Sequence, residues 1–203
     1  MQRKVEFVHI VDSMLVARRV QGHWGQVGAS DAFSTYVESL RWSSHIFDNI
    51  LRVLPYSILG ETELYFKHLP RAANCAADFL ANKALNEDID IQDMRVDAVC
   101  ATAWPITSAL KIVCWSDGAS RGNPGPAAAA AVVGVLQTME PGAVMPAQTL
   151  FVHDINGIFY ACRLVACAAV RLGITTCNIA EFEAACLARR LTALWLRTAG
   201  FVQ

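Results

Sequence analysis

Three short apolar runs, Val5–Val11, Leu110–Ser116 and Ala127–Leu136, constrain this chain more than any other feature. Each is too short for a typical helix, and none alternates as a strand with one wet face does. Runs of this kind are strands buried on both faces. A sheet built from them must be covered by helices, which places the chain in the α/β class. The composition supports the demand for cover. Hydrophobic residues make up 54% of the 203 residues and charged residues 17%, against about 25% charged in a typical domain. A chain this apolar has ample surface to bury and is not disordered.

The remaining pattern supplies the helices. Leu64–Leu69 and Gly157–Arg171 read as further strands, the second with a buried helix as the alternative. Ala76–Leu85 is helical, and Ile179–Thr198 is an amphipathic helix with cap chemistry at 175–178. Ser13–Val20 reads as a short helix closed by Gly22, and apolar residues from Phe33 to Leu51 recur at helical spacing until Pro55 and Gly60. Asp117–Pro126 is dense in Gly, Pro, Asn and Ser, which is turn chemistry. Asn86–Pro105 is acidic and then irregular, and reads as a linker.

Charge and cysteine usage narrow the function classes. The formal charge is −1, from 17 basic and 18 acidic residues, so no global basic field exists and nucleic-acid binding would have to be local. Seven cysteines occur without a Cys-x-x-Cys pair, which argues against a zinc site and for free thiols in a reducing compartment. Of the longest apolar runs, Ala127–Leu136 is too short to span a bilayer and Gly157–Ala169 is interrupted by Arg163, so no membrane association is expected. The first residues do not read as a secretory signal, and a cytoplasmic or nuclear location is expected.

Four acids occupy comparable places. Asp12 and Asp117 end buried strands, and Asp78 and Glu181 lie where first helical turns are expected. Each alone has a structural explanation as a cap or as a partner of the helix dipole. Together they suggest more, because parallel strands bring their C-terminal ends to one edge of a sheet, where ligands bind. Carboxylates converging there would repel one another unless divalent cations sit between them. Mg²⁺ prefers such oxygen ligands, and a two-metal site suits phosphodiester hydrolysis.

The strings around these acids resemble one family. Trp115-Ser116-Asp117-Gly118-Ala119-Ser120-Arg121-Gly122-Asn123-Pro124-Gly125-Pro126-Ala127 is similar to the opening of the type-1 ribonuclease H domain, in its plant-type and reverse-transcriptase-associated branch. Asn178-Ile179-Ala180-Glu181-Phe182-Glu183-Ala184 resembles the helix start with that family's second acid, and Val11-Asp12-Ser13 its third acidic strand end. His68-Leu69-Pro70-Arg71, Asn74, Ala77-Asp78 and Leu80-Ala81-Asn82 resemble its closing motif, the most specific of the four. The order is exchanged, since the third and fourth acids precede the first and second.

The resemblance therefore implies a ribonuclease H-like mixed sheet of about five strands flanked by helices, permuted or assembled from two complementary half-domains. Residues 1–86 would be the C-terminal half, 87–109 the linker and 110–203 the N-terminal half. The joining segment 86–109 could span roughly 80 Å if extended, far more than closure requires. A parent tandem array and a domain-swapped homodimer are the other arrangements compatible with this order.

By the same resemblance Asp117, Glu181, Asp12 and Asp78 would hold two Mg²⁺, or Mn²⁺, and His68 would assist proton transfer or product release. The substrate would be an RNA–DNA hybrid, cut in the RNA strand. Gly118, Ser120, Asn123, Cys177, Asn178, Ser13, Arg71 and Asn74 would contact it. Three departures stand out. Cys177 occupies a place where the family usually has Asn, an insertion falls within 137–153, and the basic protrusion of some members has no counterpart. The pair Arg189-Arg190 reads as a solvated helix face. The competing function is a catalytically weak or inactive ribonuclease H-like nucleic-acid-binding module derived from a retroelement polyprotein.

Overall fold

The computed structural model describes residues 5–11, 13, 64–68, 71, 74–95, 110–139, 149–155 and 158–201. In chain order the elements are β1 (Val5–Val11), β2 (Leu64–His68), α1 (Cys75–Glu87), β3 (Ile91–Met94), β4 (Leu110–Ser120), β5 (Gly125–Met139), β6 (Thr149–Ile155), β7 (Ile158–Thr175) and α2 (Cys177–Thr198). The chain is α/β, with one mixed sheet covered by a helix on each face. The helices expected over 13–20 and 33–51 lie outside the described residues.

The strands run in the order β2-β1-β4-β5-β7, and both β3 and β6 pair with the outer edge of β7. The pairs β2–β1 and β1–β4 are parallel, whereas β4–β5, β5–β7, β3–β7 and β6–β7 are antiparallel. The segment 157–171 is thus strand and not helix.

Seven strands are described, against an expectation of about five. One addition, β3, comes from the span expected to be a linker. Asp88 ends α1 in the left-handed conformation and reverses the chain. The Arg171 guanidinium then holds Asp88 (2.9 Å) and Asp90 (3.2 Å) against β7. The other addition, β6, forms a hairpin with β7 inside the expected insertion.

The core explains how five consecutive alanines, Ala127–Ala131, sit in a central strand although alanine has little intrinsic strand preference. Alternate positions face opposite helices. Ala128 and Ala130 pack with Ala81 and Ala84 of α1, and Val113, Trp115 and Val132 continue that face toward Ala77. Ala131, Val133 and Val135 pack with Ala188, Leu191, Trp195 and Leu196 of α2. Small side chains on both surfaces let the helices approach closely, and packing rather than propensity fixes the strand.

Candidate active site

The site begins where the parallel pairing of β2, β1 and β4 ends. His68 of β2 lies opposite Val11 of β1, and Val11 lies opposite Ser116 of β4. These three residues form one row across the sheet, and Asp117 follows Ser116 in β4. Asp12 follows Val11 in sequence but lies outside the described residues. Asp117 does not end its strand as expected. β4 continues to Ser120, because Asp117–Ser120 pair with Ala127–Ala130 in a longer hairpin. Asp117 itself is buried, at 2% exposure.

Glu181 reaches this place through its backbone. A Cβ on Gly118 would fall 2.2 Å from the Glu181 nitrogen and 2.3 Å from the Ala180 carbonyl carbon. Only glycine permits β4 to touch α2 here, and the contact brings the backbones of the Asp117 and Glu181 motifs together. Glu181 lies past the first helical turn in which it is expected, because α2 starts two residues earlier, at Cys177. The helix start is anchored twice. Thr176 Oγ1 accepts from the Ile179 N–H (3.3 Å), and Asn123 Oδ1 accepts from the Cys177 N–H (3.2 Å). Ser120 Oγ lies within hydrogen-bond distance of the carbonyls of Gly122 (2.6 Å) and Thr175 (3.2 Å). Gly122, at φ +100°, makes the turn between β4 and β5. Ser120 and Asn123 thus tie the β4–β5 hairpin to the start of α2, whose first residues, Cys177 and Asn178, are half-buried.

Asp78 is brought in from the opposite face. It lies in the first turn of α1, as expected, and its carboxylate is ion-paired with Arg71 and accepts from the Asn82 amide at 3.3 Å. Asn74 is the connection. It stands at the N-cap of α1, where asparagine normally caps its own helix, yet it makes no side-chain cap bond. Its Nδ2 donates instead to the Ser116 carbonyl (2.9 Å) and reaches Asp117 Oδ1 (3.4 Å), while its carbonyl accepts from the Asp78 N–H (3.1 Å). One fully buried amide therefore links the Asp117 strand to the Asp78 helix. Sequence reasoning placed Asn74 toward substrate and missed this role. The signal available was an Asn at a helix start within three residues of a Pro-Arg turn.

The carboxylate oxygens of Asp117, Glu181 and Asp78 are donors that suit a hard divalent cation. Asn74 Oδ1 is buried beside Asp117 with no hydrogen-bond partner among the described residues, an acceptor suited to a water or to a hydrated ion. Among the described residues no three His, Cys, Asp or Glu side chains form a metal-holding group. Ser13 is half-buried, Arg71 is exposed, and of His68 only its place at the end of β2 is described. Among the described residues no helix is long and apolar enough to cross a membrane. No family model, curated protein or solved structure matches the chain.

Proposed function

We propose that this protein is a metal-dependent endonuclease that hydrolyses the RNA strand of RNA–DNA hybrids, a ribonuclease H-like domain with its two halves in exchanged order. One observation carries the reading. The strand that precedes Asp12 and the strand that bears Asp117 lie parallel and adjacent, with Val11 opposite Ser116. These segments lie about 100 residues apart in the chain, yet their register brings two acidic motifs to one place on the sheet. The contact of Gly118 with Glu181 and the bridge through Asn74 bring the other two motifs toward the same place. Pairing of β1 with β4 within one chain favours a single folded unit over halves drawn from separate chains.

In this reading Asp117, Glu181, Asp78 and Asp12 would hold the two Mg²⁺ or Mn²⁺ ions. When bound, the ions supply an activated water and charge stabilisation at the leaving oxygen. The chain's own residues do the rest. Asn74 fixes the Asp117 carboxylate by a donated hydrogen bond. Burial keeps that carboxylate away from bulk water, which strengthens its interaction with a cation. Arg71 neutralises Asp78 and is exposed enough to exchange that partner for a phosphate oxygen. His68 stands at the end of its strand, where it would serve proton transfer or product release.

A second reading, a nucleic-acid-binding module without turnover, is favoured by one specific observation. The ion pair with Arg71 already occupies one of the four carboxylates. The purified chain, incubated with an RNA–DNA hybrid and Mg²⁺ or Mn²⁺, separates the two readings. Divalent-dependent cleavage lost in Asp117→Asn and Glu181→Gln supports the nuclease. Binding without cleavage by a chain shown to be folded supports the module.

A further inference from the structure

The α2-facing side of β1 and β4 carries polar groups where an apolar core is expected. His9 is fully buried, and its Nε2 lies 2.9 Å from the equally buried Ser116 Oγ. Cys114, below Ser116 on the same face, lies in the core packed against α2. Arg189 of α2 is 1% exposed, although Arg189-Arg190 reads as a solvated face in the sequence. Burial, and secondarily the charge of Arg189, hold the His9 imidazole well below its ordinary pKa, so the ring is neutral. Burying an imidazole and a guanidinium costs desolvation that leucines at both places would avoid. Packing alone therefore gives no reason for these residue types.

The hydrogen bonds suggest what they do. Ser116 uses two atoms in two directions: its Oγ meets His9 of β1, and its carbonyl accepts from Asn74 at the start of α1. Three segments thus join at one residue. They are the strand that precedes Asp12, the strand that bears Asp117 and the helix that bears Asp78. Val11 opposite Ser116 is the last described rung of the β1–β4 ladder, so the His9 bond lies where that ladder ends, next to Asp117 of β4. We propose that His9 is a positioning residue, acting through Ser116 and Asn74 to fix the ends of β1 and β4, and with them the acidic residues, in one arrangement. The inference rests on the nuclease reading for its functional consequence, and on geometry alone for the coupling.

Two readouts on the full chain test it. His9→Leu keeps bulk but removes the hydrogen bond, Ser116→Ala removes its partner, and His9→Gln retains a polar group with similar reach. Hydrogen exchange at Val11, Ser116 and Asp117 is expected to rise about tenfold or more in His9→Leu and in Ser116→Ala. Exchange at Ala131 and Leu191 stays unchanged. The double variant should match the single ones, as members of one unit do, and His9→Gln should restore protection. The Mg²⁺ concentration for half-maximal hybrid cleavage rises several-fold in the same variants, with the KM for hybrid unchanged. Wild-type exchange at the strand ends in His9→Leu overturns the proposal. So does a loss of protection spread evenly over the core, or additive effects of the two substitutions. Should His9→Leu fail to fold, Ser116→Ala and His9→Gln carry the same comparison. A wild-type chain that cleaves no hybrid would refute the nuclease reading, while the exchange data would still decide the coupling.

Discussion

Substituting Gly118 by alanine should damage the site through a contact between two backbones. The added carbon would meet the Glu181 nitrogen at 2.2 Å and the Ala180 carbonyl carbon at 2.3 Å, where ordinary contact begins at 3.4 Å. Both neighbours are helix backbone, so no side chain can rotate away. The start of α2 would have to retreat by more than 1 Å, against the anchors from Thr176 and Asn123. Overpacking of this kind costs about 1–3 kcal/mol. Moving Glu181 by about 1 Å relative to Asp117 should also reduce turnover on the order of 100-fold. Urea denaturation measures the first effect, and hybrid cleavage at saturating substrate measures the second. Gly134→Ala is the control. Its nearest obstacle is the Cys162 Sγ at 2.5 Å, which can move, so stability falls while the divalent dependence is kept. Wild-type stability and cleavage in Gly118→Ala would refute the strand-to-helix contact as the element that places Glu181.

Two further outcomes are expected. Because His9 is neutral in the fold while an unfolded His binds a proton below about pH 6.5, its contribution is complete above that pH and is lost as pH falls toward the depressed folded value. The slope is up to about 1.4 kcal/mol per pH unit, measured by urea denaturation between pH 5 and 7.5. His9→Leu should flatten this limb, and parallel profiles would contradict it. Thiol titration with a disulfide reagent should find Cys75 reactive in the folded chain. Burial pushes the thiols of Cys162 and Cys186 up to about 12 and about 11, and that of Cys114 higher still, so these three should react only on unfolding.

Much of the fold was legible because both-face burial leaves a simple mark. Val5–Val11, Leu110–Ser116 and Ala127–Leu136 all lie in strands, and the helices at 75–87 and 177–198 match their expected places. The boundaries were less legible. β4 runs past Asp117 because Gly118, Ala119 and Ser120 still find partners in β5, which local turn chemistry does not reveal. β3 reads as linker because its four residues carry too little pattern to show that they pair with β7, and that Arg171, some 80 positions away, holds the preceding Asp88 and Asp90.

The candidate site divides in the same way. Asp117, Glu181 and Asp78 stand out by their places at element ends and by the resemblance of the strings around them, whereas Asn74's turn toward β4 and the burial of His9 and Arg189 depend on neighbours remote in sequence. An Arg pair on an amphipathic helix reads as surface. Only the three-dimensional fold buries Arg189 where its charge acts on His9.

The most direct measurement is the fate of each strand of a uniformly labelled RNA–DNA hybrid in the presence of Mg²⁺. The expected result is cleavage of the RNA strand alone, leaving 5′-phosphate and 3′-hydroxyl ends, and none by Asp117→Asn. An intact RNA strand at every Mg²⁺ and Mn²⁺ concentration, with a folded protein, would contradict the nuclease reading. Equal cutting by the Asp117→Asn variant would contradict it as well.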